Sequence, residues 1–130
     1  GHMIDNLAGN VSQSKEFLQL LKSDLANYIS DTVISKRLNS RSLVIKSLVR
    51  ELNDIRKHSG VADIYNGLTR GEVEAVASHS EVYWKIKGKI EREAFAHMFE
   101  AQFDTARYAE MKRYFPQALA WFEKKLKEML

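Results

Sequence analysis

The sequence predicts a single, mainly α-helical domain of about five helices, and three observations lead to that prediction. Apolar residues recur at spacings of three and four over several long stretches, which is the period of an amphipathic helix. Helix-capping residues, among them Ser14, Ser40 and Asp104, stand just before such stretches. The 130 residues include one proline and are 45% hydrophobic, which is enough for one core and short for two. We therefore expect an antiparallel helix pair, then an irregular loop or small hairpin, and then a C-terminal helical half.

The first half of the chain is expected to form the helix pair. A first helix is predicted over residues 14–36. A second follows a cap at Ser40 or Ser42 and ends after the basic residues 56–58, where Gly60 can adopt a left-handed backbone. Because only a short turn joins the two helices, they should pack antiparallel.

The middle of the chain has the weakest helical signal. Residues 61–65 are compatible with one further helical turn, but Asn66-Gly67 is a turn signal. We therefore predict an irregular region over residues 66–88. Two segments within it, residues 73–76 and 82–86, are rich enough in β-branched and aromatic residues for a small hairpin.

Three further helices are predicted in the C-terminal half. The central helix, which carries Glu93, begins near Lys89. Asp104 can cap a short helix over residues 105–114. Pro116 suits the first turn of the last helix, because the N–H that proline lacks would have no partner there.

Composition narrows the classes of function. The net charge is only +3 and no long basic block occurs, so a weak nucleic-acid binder is the least favoured of the interpretations and no specific nucleic-acid partner is expected. There is no cysteine, hence neither a disulfide framework nor a thiolate metal site. No apolar run reaches the roughly 20 residues needed to cross a bilayer, and no signal peptide is recognisable. We expect a cytosolic protein with no membrane association.

The chain lacks a glycine-rich phosphate loop and a G-x-S-x-G elbow, so attention falls on its histidines. His58 stands among basic residues at a predicted helix end, where the helix dipole accounts for it. His79 lies in the predicted loop, four residues before Tyr83. Loops often carry function, although an aromatic neighbourhood is also compatible with simple packing. His79 and Tyr83 are the catalytic candidates.

Glu93 and His97 stand four apart on the predicted central helix and therefore share one face. They could share a proton, a hydrogen bond or a metal ion, or they could be two polar residues at the edge of a core helix. Several carboxylates could serve acid–base chemistry, but no spacing singles out one pair; these are Asp63, Glu72, Glu74, Glu91 and Glu93.

An ordered series of segments over about residues 60–130 resembles a known family. The segments are Gly67-Leu68-Thr69, His79 with Tyr83-Trp84, Glu93-Ala94-Phe95-Ala96-His97-Met98-Phe99-Glu100-Ala101, and Tyr114-Phe115-Pro116 with Phe122. In order and approximate spacing they are similar to the C-terminal zincin-like metallopeptidase domain of phage minor head (head morphogenesis) proteins. The resemblance implies a phage or prophage origin, phage head proteins as partners, and a place in the bacterial cytoplasm or the virion.

The resemblance also implies roles for single residues. In that family an H-E-x-x-H helix supplies two histidine zinc ligands and a general base, and a later helix supplies a glutamate as third ligand, which Glu93 matches. His97 is then structural, and His79 could polarise a substrate carbonyl. The family commonly has a glycine before that histidine, where this chain has Ser78.

This chain contains no H-E-x-x-H. Gly1-His2-Met3 resembles a tag remnant preceding one helical domain over residues 4–130, or the end of such a motif in a longer domain. On the second interpretation His2 is a lone metal-ligand candidate beside Glu93. We therefore expect no competent peptidase and no cofactor in this chain, with zinc as the cofactor if the motif were present. The alternative function is a helical interaction module or homo-oligomer without enzymatic activity.

Overall fold

The computed structural model describes residues 14–55, 59–75 and 81–130. In these ranges the chain forms seven helical segments: α1 (Lys15–Lys36), α2 (Arg41–Asn53), α3 (Val61–Leu68), the single turn α4 (Glu81–Trp84), α5 (Lys89–Ala101), α6 (Thr105–Tyr114) and α7 (Pro116–Met129). The mainly α-helical prediction is confirmed. None of the helices in this part of the chain combines the length and apolar character that crossing a bilayer requires.

The predicted helix starts coincide with side-chain caps. The hydroxyls of Ser14 and Ser40 accept hydrogen bonds from backbone N–H groups in the first turns of α1 and α2. The carboxylate of Asp104 accepts one from Arg107 N at 3.1 Å, and Pro116 is the first residue of α7. Each cap satisfies an N–H that has no partner within its own helix. These boundaries therefore follow from local chemistry.

Helices α1 and α2 pack antiparallel, as predicted. Tyr28 donates its hydroxyl hydrogen bond to Glu51, and Lys36 donates one to Ser47 Oγ at 2.7 Å. The later residue of α1 thus meets the earlier residue of α2. The prediction that α2 continues to residues 56–58 was wrong, because the helix ends at Asn53.

The predicted hairpin was also wrong, since no strand occurs in the described ranges and Glu81–Trp84 forms a helical turn. The supposed turn Asn66-Gly67 lies inside α3. A Cβ on Gly67 would come within 2.9 Å of Trp84 Cε3, so glycine is needed for the indole to pack against the helix. Asn66 accepts from Trp84 Nε1 at 2.6 Å and donates to the carbonyl of Val73 at 2.9 Å. Tertiary contacts therefore override the turn signal.

The core is centred on α5, with α1 and α7 packed around it. The ring of Phe17 stacks on Trp121 with centroids 5.0 Å apart and meets Phe95 edge-on at 6.4 Å. Phe95 in turn packs edge-on against Phe122 at 4.7 Å. One aromatic row thus joins all three helices. The opposite, partly exposed face of α5 carries the polar residues that form the candidate site.

Candidate functional site

Three potential metal ligands meet where α3 and α5 cross. Asp63 lies in the first turn of α3, and Glu93 and His97 lie one turn apart on α5. His97 Nε2 is 3.0 Å from Asp63 Oδ2 and 3.9 Å from Glu93 Oε2. The exposed fractions are 7% for the Asp63 side chain, 22% for His97 and 25% for Glu93. We call these residues the histidine–carboxylate cluster; one side of it is buried and the other faces solvent.

The chain folds locally so that each member is held in place. Gly60 precedes α3 with φ +92°, a left-handed conformation that glycine adopts readily. A Cβ at this position would lie 2.2 Å from His97 Cγ, so the imidazole packs directly on the Gly60 backbone. The first turn of α3 then brings Asp63 to the ring, and the partial positive charge of a helix N-terminus stabilises a carboxylate there.

Tyr83 and Lys89 orient Glu93 from its other side. The Tyr83 hydroxyl donates a hydrogen bond to Glu93 Oε1, and Lys89 Nζ lies 3.7 Å from the same oxygen. Lys89 Nζ also lies 4.6 Å from the centre of the Tyr83 ring, within the range of a cation–π contact. Burial, and next the hydrogen bond to Glu93, raises the pKa of Tyr83 above its usual value. The hydroxyl therefore stays protonated and remains a donor at neutral pH.

The donor atoms of the cluster suit a divalent metal ion. In the described ranges, Asp63, Glu93 and His97 form a group in which one potential ligand atom from each lies within 4.8 Å of the others. Zinc takes imidazole nitrogen and carboxylate oxygen at about 2.0–2.2 Å, which places tetrahedral ligands about 3.3 Å apart. The two separations to His97 Nε2, 3.0 and 3.9 Å, bracket that value, and the two carboxylates lie within 4.8 Å of each other. Without an ion, the same atoms form a carboxylate–imidazole pair that can hold or pass a proton.

The structure brings some of the predicted residues together. Glu93, the predicted ligand, and Tyr83, the predicted catalytic residue, are hydrogen-bonded to each other. His97, predicted to be structural, contacts both carboxylates of the cluster. His2, His58 and His79 lie outside the described residues, so the roles predicted for them stay predictions.

Asp63 is the member that the sequence did not distinguish from four other carboxylates. Its contact with His97 spans 34 positions in the chain, so no local spacing could reveal it. The one sequence feature that could have pointed to Asp63 is its position three residues after Gly60, in the first turn of α3. Of the other candidates, Glu72 forms an exposed ion pair with Arg41 instead.

No protein-family model, no curated protein and no solved structure matches the chain. The function proposed for the chain therefore depends on the chemistry of the histidine–carboxylate cluster and on the residue pattern quoted for the resemblance.

Proposed function

We propose that this chain is a phage- or prophage-derived domain related to the zincin-like end of minor head proteins, and that its histidine–carboxylate cluster binds a divalent metal ion, zinc foremost. The observation that supports the metal site is the convergence of one imidazole and two carboxylates from two helices, with donor atoms within 4.8 Å of one another. The resemblance supports a ligand role for Glu93 independently. A place in the bacterial cytoplasm or the virion, with phage head proteins as partners, belongs to the same proposal.

Each residue of the site has a distinct task in this proposal. Asp63 supplies the most buried ligand atom, and the partly exposed His97 and Glu93 complete the set. Tyr83 and Lys89 fix the carboxylate of Glu93, as outer partners of metal ligands commonly do. When bound, zinc with three protein ligands would supply Lewis acidity and a position for water.

Metal binding and proteolysis are separate claims here. Zincin proteolysis needs the general-base glutamate of H-E-x-x-H, and that motif is absent from these 130 residues. We therefore expect the chain, as given, to bind metal without competent peptidase activity. From the sequence we expected no cofactor in this chain, whereas we now propose zinc. The reason is that Asp63 and His97 lie beside Glu93, a set of three possible ligands that the sequence did not indicate.

Isothermal titration calorimetry with zinc tests the metal site. The protein is treated with a chelator and compared with Glu93→Gln, His97→Ala and the control Glu100→Gln, which changes an exposed carboxylate on the same helix. We expect one zinc per chain for the unaltered protein and for Glu100→Gln. Removing one of three ligands should weaken binding by at least about tenfold, since even outer-shell changes cost about 10–100-fold. Equal zinc affinity in all four proteins would contradict the proposal.

A second candidate function, a homo-oligomeric interaction module, is favoured by exposed apolar side chains. Phe103 is 77% exposed just after α5, and its ring packs edge-on against Phe99 with centroids 5.3 Å apart. Aromatic residues are enriched at protein interfaces. Light scattering at increasing concentration should show a dimer that Phe103→Ser dissociates. A mass that stays monomeric at high concentration would rule out this second function.

A further inference from the structure

A second cleft, separate from the histidine–carboxylate cluster, opens between α1, α3, α4 and α5. Its volume is about 420 Å³, within the range of small-molecule sites. Each of the four helices contributes one apolar side chain to its walls: Leu18, Leu68, Trp84 and Ile90. We call it the basic cleft because of the cationic side chains at its edge.

Three cationic side chains line the basic cleft: Lys22, Arg70 and Lys85. All three are exposed, and no carboxylate is among the lining residues. Over the part of the chain that the structure describes, none of the three forms an ion pair with an acidic side chain. Among the described residues, the cleft thus combines three cationic side chains with apolar ones on its walls.

Arg70 is placed at the cleft by a costly backbone conformation. It has φ +53° in the turn that ends α3, with Arg70 N bonded to the carbonyl of Gly67 and Gly71 N to that of Asn66. This is the pattern of a Schellman helix end, in which the left-handed position usually holds glycine. A side chain there is strained, as it also is at Arg37, which ends α1 with φ +52°. Of the two arginines, Arg70 is the one that lines the cleft.

Trp84 gives the cleft a rigid wall. The indole is 6% exposed, packs on Gly67 and donates its N–H to buried Asn66 at 2.6 Å. Because the packing on Gly67 and the hydrogen bond to Asn66 both hold the ring in place, this apolar wall is present without a ligand. A preformed wall reduces the entropy lost on binding.

We propose that the basic cleft binds a small organic phosphate, a monoester whose aromatic or aliphatic body lies against Trp84 and whose phosphate meets Lys22, Arg70 and Lys85. A phosphate monoester carries about −1.5 to −2 charges at pH 7, which matches three cationic side chains better than a single carboxylate does. Arginine and lysine are the usual phosphate donors, and the apolar side chains on the cleft walls can contact an apolar body. This inference does not depend on the metal site.

Phenyl phosphate is the probe, and calorimetry and tryptophan fluorescence are the readouts. The decisive comparison is Arg70→Gly against Arg37→Gly. Both arginines are exposed and have positive φ at a helix end, so either change relieves the same strain and removes the same charge, but only Arg70 lines the cleft. We expect Arg37→Gly to bind as the unaltered protein does and Arg70→Gly to bind about fivefold more weakly, as for one exposed charge contact.

Four further measurements complete the test. Binding should weaken as sodium chloride is raised, because exposed charges are screened. Benzyl alcohol, which lacks the charge, and inorganic phosphate, which lacks the body, should each bind more weakly than phenyl phosphate. Asp63→Asn should leave phenyl phosphate binding unchanged, so that a failure of the metal proposal does not affect this one. Absence of saturable binding, or equal affinities of Arg70→Gly and Arg37→Gly, would overturn the proposal.

Discussion

Replacing Asp24, which lies outside both proposed sites, by alanine should destabilise the fold. Asp24 lies in the middle of α1 and is 2% exposed. Its carboxylate accepts hydrogen bonds from Gln117 N at 3.3 Å and Ala118 N at 2.8 Å in the first turn of α7, and from Gln117 Nε2 at 3.0 Å. The residue before Pro116 is Phe115, which offers no side-chain cap. Asp24 therefore caps α7 from another helix.

The expected loss follows from these bonds. Losing an N-cap costs about 1 kcal/mol, and each buried N–H left without an acceptor costs about 1–3 kcal/mol. Burial raises the pKa of Asp24, which means that keeping the ionised carboxylate in this place has a cost that alanine removes. We therefore expect a net loss of about 2–4 kcal/mol for Asp24→Ala, a large part of the roughly 5–15 kcal/mol typical of a domain.

Urea unfolding followed by circular dichroism measures this loss. The control is Asp31→Ala, which removes an exposed aspartate from the same helix and should change the free energy of unfolding by no more than about 0.5 kcal/mol. The slope of the unfolding free energy with urea should be equal in all three proteins, so that the midpoints can be compared. If Asp24→Ala unfolds within about 0.5 kcal/mol of Asp31→Ala, the capping of α7 by α1 is refuted.

Two further predictions concern the site and the tyrosines. Gly60→Ala should displace His97 and weaken zinc binding by about tenfold. The control is Gly71→Ala, which has a similar φ of +88° but nothing within 4 Å of the added Cβ, and it should bind zinc normally. Equal zinc affinities of the two variants in calorimetry would contradict the contact between Gly60 and the imidazole. All five tyrosines have a pKa raised above the usual value near 10. Above about pH 10 the folded chain therefore retains protons that the unfolded chain has lost. The free energy of unfolding must then fall as the pH rises. Tyrosinate absorbance and loss of helix should then appear together in an alkaline titration, and tyrosinate formation near pH 10 in a protein that keeps its helices would disprove this.

The parts of the fold that the sequence predicted well are those with a local cause. Ser14, Ser40 and Asp104 accept hydrogen bonds from N–H groups two or three residues away, and proline at position 116 needs no partner at all. Such contacts lie within a short window of sequence. The helix boundaries that they set were therefore predicted correctly.

The secondary-structure predictions were wrong where local sequence signals do not determine the conformation. Asn66-Gly67 has the composition of a turn, but Trp84, 18 positions after Asn66, holds both residues in a helix. The end of α2 at Asn53 was missed because the basic residues that follow looked like a helix C-terminus. A turn signal or a charge pattern describes local preference, and packing worth several kcal/mol can reverse it.

In the candidate site too, the local relationship between residues was predictable and the long-range contact was not. The i, i+4 spacing of Glu93 and His97 is a local pattern, and it predicts correctly that both residues lie on one face of a helix. Asp63 could not be chosen from the sequence, since its approach to His97 depends on how α3 crosses α5. The resemblance predicts a ligand role for Glu93 and a structural role for His97, whereas the two side chains lie 3.9 Å apart in one cluster.

The most direct test of the metal proposal is a crystal structure of the zinc-soaked protein with anomalous data collected at the zinc absorption edge. The method locates the ion, so it distinguishes this cluster from zinc bound elsewhere by His2, His58 or His79. We predict an anomalous peak about 2.0–2.2 Å from His97 Nε2 and from a carboxylate oxygen of both Asp63 and Glu93. An ordered cluster without a peak, in crystals exposed to zinc at a concentration above the protein's, would contradict the account.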